Sequence, residues 1–153
     1  MAGFFDKPLD ELDADDIQGL IDAEVAEGQT FEIKRDLAGE NNRPDSWHTM
    51  LPDSRPRKSP DRASKVDLFK EVIAFANAEG GWLVLGVDET NDHPKRAAAL
   101  HPLPDCHELA ARLQQTASDL VDPPLPSARW RGIEIGANAA AGVVVCRVPP
   151  AVL

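Results

Sequence analysis

The residues Trp82, Leu83, Val84, Leu85, Gly86 and Val87 make an apolar run that is too short for a typical helix and long enough for a strand buried on both faces. A strand of that kind needs a neighbour at each edge and cover above and below, so it is expected to be the central strand of a sheet. Upstream, Phe69, Val72, Ile73 and Ala76 fall at i, i+3, i+4 and i+7, which predicts a helix over 66–78 with Gly80 available to end it. Asp88 and Glu89 follow the apolar run directly and deliver two carboxylates to its carboxyl end.

The rest of the chain supplies partners for that strand. Asp13 or Asp15 can cap a short helix carrying Ile17, Leu20 and Ile21, with Val25 continuing the stripe. Gly28 permits a turn. From Thr30 the residues alternate, with Phe31 and Ile33 apolar and Glu32 and Lys34 sharing the opposite face of a half-buried strand. After a Pro-punctuated loop, Asp105 and Glu108 resemble a capping box ahead of a helix with the stripe Cys106, Leu109, Ala110, Leu113, Ala117 and Leu120. Pro123, Pro124 and Pro126 stop it. Two alternating segments, 129–135 and 142–148, read as a hairpin. The expected fold class is α+β, a mixed sheet flanked by helices, formed by residues 1–153 as a single domain.

Residues 37–65 interrupt this order. They show no periodicity, carry Pro44, Pro52, Pro56 and Pro60, and read as a long loop that is either functional or a solvated insertion. The net charge of -10 disfavours a broad nucleic-acid surface, but the charge is unevenly spread. Met1 to Glu32 holds ten acids and one base, whereas 40–65 holds Arg43, Arg55, Arg57, Lys58, Arg62 and Lys65 against Glu40, Asp45, Asp53 and Asp61.

Several chemistries are disfavoured. Cys106 and Cys146 are far apart, Cys146 sits in an apolar strand, and His48, His93, His101 and His107 lack the spacing of a zinc site. There is no phosphate-binding glycine loop and no nucleophile elbow. No apolar stretch approaches the ~20 residues of a membrane span and the start of the chain has no secretory h-region, so a cytoplasmic location is expected.

What remains is a carboxylate constellation. Glu27 and Glu32 are five positions apart and can converge only if Glu27 lies before the strand, across the turn at Gly28. Joined by Asp88, they would form an oxygen-only cluster that must take up protons or a hard cation, Mg²⁺ or Mn²⁺. A divalent ion there could activate a phosphodiester, with Lys34 holding phosphate. The bland alternative is that carboxylates at this spacing arise by chance in a chain with 26 acids and sit in solvent.

The segments EGQTFEIKR (27–35) and LFKEVIAFANAEGGWLVLGVDE (68–89) resemble the Schlafen-type AlbA-like domain. The resemblance covers roughly 20–150, with Ile33 in place of the more usual Phe and 37–65 as an added length. It implies a nucleic-acid-binding fold and, in the Schlafen nucleases, metal-dependent cleavage of structured RNA such as tRNA. The family's two glutamates fall on Glu27 and Glu32 and its aspartate on Asp88, which the resemblance makes the metal ligands, beside Lys34 as a catalytic phosphate contact. Arg55, Arg57, Lys58 and Arg62 would then track the nucleic-acid backbone, with RNA favoured over DNA. Two readings from other classes stand beside this one. One is a non-catalytic DNA- or RNA-binding module of a prokaryotic regulator or defence protein. The other is an interaction domain, with room for a homodimer or for additional domains in a longer protein.

Overall fold

The computed structural model describes residues 3–36, 62–120, 128–136 and 140–151. Helix α1 (Ala14–Asp22) starts where a reciprocal cap predicts it. The Asp13 carboxylate accepts the Asp16 amide, and the Asp16 carboxylate accepts the Asp13 amide, both at 3.0 Å. Strand β1 (Phe31–Lys34) follows a tight turn at Gly28. Helix α2 (Arg62–Ala76) begins earlier than its apolar stripe suggests, so residues 62–65 are helical and not the end of a loop.

The transition from α2 to β2 (Gly81–Leu85) needs both of its glycines. Gly80 has φ +81, and its amide closes the helix by donating to the Phe75 carbonyl at 2.8 Å. At Gly81 the limit is space, since a Cβ there would stand 2.6 Å from the Phe75 ring.

The apolar run that anchors the sequence reading is not one strand. Gly86, at φ +103, turns the chain out of the main sheet. Val87–Glu89 becomes a separate strand, β3, and pairs antiparallel with β4 (Ala97–Leu100), which lies in the segment expected to be loop. Helix α3 (Cys106–Leu120) and the hairpin of β5 (Arg129–Glu134) and β6 (Gly142–Val148) complete the order. The main sheet runs β1-β2-β6-β5, with β1 parallel to β2 and the other pairs antiparallel. This is the expected α+β architecture, and β2 is an inner strand with partners on both edges.

Alternation along β2 and β6 divides the core between two faces. Leu83, Leu85, Val144 and Cys146 pack under α2 and α3 with Phe69, Val72, Leu109 and Leu113. Trp82, Val84, Val143 and Val145 face the other way, where Phe4, Leu9, Leu12, Ile17 and Leu20 cover them. The segment before Glu27 is therefore a structural layer of its own. Arg131 ties it down by donating to the carbonyls of Leu9 and Leu12 at 2.8 and 2.7 Å, and Arg129 makes a two-point contact with Asp10. Among the described residues no helix is long and apolar enough to cross a membrane.

Candidate functional site

Strand β1 lies at the sheet edge, and an edge strand presents backbone amides that need partners. Glu27 provides one. Its own amide is fixed by the Lys95 carbonyl at 2.8 Å, and its Oε2 accepts the Ile33 amide at 3.0 Å. This places the Glu27 carboxylate across the turn from the strand, as its odd separation from Glu32 requires. Phe31 and Ile33 point into the core, so Glu32 and Lys34 occupy the opposite face, toward α2.

A hydrogen bond with Glu27 is among the influences that hold the proton on the Glu32 carboxyl. Desolvation is the largest influence on Glu32, followed by that hydrogen bond and by the negative charges of Glu71 and Glu27. Lys34 opposes them, and the Glu32 carboxyl is pushed up to about 8. Lys34 Nζ stands 3.2 Å from Glu71 Oε1, while the buried Glu71 Oε2 has no hydrogen-bond partner among the described residues.

The third carboxylate comes from β3, and it is Glu89. Its acidity is weakened by desolvation and by a hydrogen bond with Glu27, against the pull of Lys95, whose Nζ lies 3.0 Å from Glu89 Oε1. Asp88, the residue expected in this role, instead places Oδ1 3.1 Å from Arg35 Nε. The reason is local. The β3–β4 register shifts between Asp88 and Glu89, and successive strand side chains leave on opposite sides. The acids gathered around Glu27 are thus Glu32 and Glu89, with Lys34, Glu71 and Lys95 at the border.

The remaining expected contacts are not part of this geometry. Arg55, Arg57 and Lys58 lie outside the described residues, and Arg62 is described only as the first residue of α2. Glu71 and Lys95 carried no sequence signal, because neither stands in a motif with Glu27 or Glu32.

The donor set around Glu27 is all oxygen, partly desolvated and short of positive charge, which is the chemistry of a hard divalent cation. Among the described residues no three His, Cys, Asp or Glu side chains are already arranged to hold a metal ion. The fit is therefore one of ligand chemistry, and Glu32 and Glu89 would have to close around Glu27.

The class of this α+β domain is given by its family, which is nucleic-acid-related. The chain belongs to the Schlafen AlbA_2 family, whose model matches residues 27–152 and so begins at the first carboxylate of the site. No curated protein matches the sequence. A solution structure, the N-terminal domain of a protein related to the ATP-dependent DNA helicase RecG from Nitrosomonas europaea, is similar at a TM-score of 0.49. It shares 21% identity, over 91% of this chain and 74% of that one.

Proposed function

We propose that this domain acts on nucleic acid as a divalent-metal-dependent endoribonuclease, with structured RNA such as tRNA as its substrate class. The observation that carries the reading is the half-buried Glu32 carboxyl, raised by desolvation and by Glu27, together with Glu89, raised by desolvation and by the same Glu27. Acids that raise one another's pKa in this way favour uptake of positive charge. Glu27, Glu32 and Glu89 would hold Mg²⁺ or Mn²⁺, which when bound supplies Lewis-acid activation of a phosphodiester. Lys34, on the face of Glu32, offsets the charge of a phosphate at the site. Glu71 restrains that ammonium and keeps it beside the sheet edge.

A second reading rests on how these acids are already partnered. Glu27 Oε2 is bonded to the Ile33 amide and Glu89 Oε1 to Lys95, contacts that suit a folded binding module of a prokaryotic regulator or defence protein which does no chemistry. Incubating the protein with tRNA in Mn²⁺ and in EDTA separates the two. Cleavage in Mn²⁺ that stops in EDTA supports the nuclease, whereas binding without cleavage in either buffer supports the module.

A further inference from the structure

Arg35 is the first residue after β1, next in sequence to Lys34, and its side chain is held in an unusual way for a surface cation. Its Nε–H donates to His101 Nδ1 at 3.4 Å and the same nitrogen stands 3.1 Å from Asp88 Oδ1 in an ion pair, so residues from two different segments hold the inner nitrogen. Nη1 and Nη2 have no partner among the described residues, and the side chain is 64% exposed. Other arginines are bound by their outer nitrogens. Arg129 gives both to Asp10, Arg96 and Arg112 give Nη2 to carboxylates, and Arg131 and Arg147 give Nη1 to backbone carbonyls.

A guanidinium is planar, so fixing Nε fixes the direction of the two outer groups, and a paired set of outward N–H donors matches two oxygens of a phosphate. Asp88 supplies its counter-charge. We propose that Arg35 is a backbone-phosphate contact for nucleic acid at the rim of the carboxylate site, and that Asp88 and His101 are positioning residues that aim it. This rests on the nucleic-acid reading above. It gives Asp88 a role separate from the acids around Glu27, and it brings the substrate to the strand end that carries Lys34.

The test is equilibrium binding of a fluorescently labelled tRNA in EDTA, followed by anisotropy across 50–200 mM salt. Loss of one phosphate contact in Arg35→Ala is expected to reduce the slope of log affinity against log salt by about 1. Arg112→Ala, on α3, is the control and should leave the slope alone. Asp88→Asn supplies a test by sign. Removing a negative charge should tighten binding if Asp88 matters only through its charge, whereas loosening Arg35 should weaken it. Weaker binding by Asp88→Asn together with the smaller slope of Arg35→Ala supports the assignment. An unchanged slope in Arg35→Ala, or tighter or unchanged binding by Asp88→Asn, overturns it while leaving the nucleic-acid reading intact. A wild-type protein that binds no tRNA overturns both.

Discussion

The carboxylate of Glu27 accepts the backbone amide of Ile33 at 3.0 Å, and this bond makes an acid of the site part of the sheet edge. Glu27 therefore supports the fold as well as the cluster. Glu27→Ala leaves the Ile33 amide without its partner and is expected to cost about 1–3 kcal/mol, read from the urea midpoint. Glu27→Gln keeps a side-chain oxygen that can accept the amide and should recover most of that stability.

Glu32 behaves in the opposite sense. Its carboxyl sits at about 8 in the folded protein against an ordinary 4.5, so between those values the folded state holds a proton that the unfolded chain has released. Stability from this group is therefore highest below about 4.5, falls as pH rises toward 8, and levels off above. Urea unfolding at pH 5, 6.5 and 8 should show Glu32→Gln gaining on the wild type as pH increases. The raised pKa of Glu89 acts in the same direction.

A divalent cation competes with that proton. Mn²⁺ should raise the thermal midpoint of the wild type more at pH 8 than at pH 5, and EDTA should reverse the rise. Glu32→Gln should show a smaller Mn²⁺ effect at pH 8. Equal midpoints with and without Mn²⁺ at both pH values would separate the cluster from metal binding.

The layer before Glu27 lies outside the family match yet covers one face of the sheet. Leu12 is 1% exposed within it, and Leu12→Ala is expected to cost about 2–5 kcal/mol through lost contacts and a cavity. Removing residues 1–26 should expose Trp82, Val84, Val143 and Val145 and yield a chain that aggregates or binds hydrophobic dye. Circular dichroism melts of both variants check this.

Alternation proved the strongest guide from sequence to structure. Phe31 and Ile33 sort Glu32 and Lys34 onto one face because a strand has a period of two, and the same period divides Trp82 and Val84 from Leu83 and Leu85. Local chemistry was legible at Asp13, whose cap depends on residues three apart. The break at Gly86 was not, because an apolar run containing one glycine reads the same whether the chain continues straight or turns at positive φ. β4 is mostly alanine, Ala97–Leu100, with little strand propensity of its own, and it forms because β3 offers it an edge. The exchange of Asp88 for Glu89 follows from that unseen pairing. Which of two adjacent acids faces Glu27 depends on the register shift between them, and composition does not encode it.

The most direct measurement is tRNA cleavage in Mn²⁺ by the wild type, Glu32→Gln, Glu89→Gln and Asp88→Asn, with rate and substrate affinity determined separately. If Glu27, Glu32 and Glu89 form the reacting site, Glu32→Gln and Glu89→Gln lose cleavage, while Asp88→Asn retains its maximal rate and binds tRNA less tightly. Cleavage that survives Glu89→Gln but fails in Asp88→Asn, or a wild-type protein that leaves tRNA intact in Mn²⁺, would contradict it.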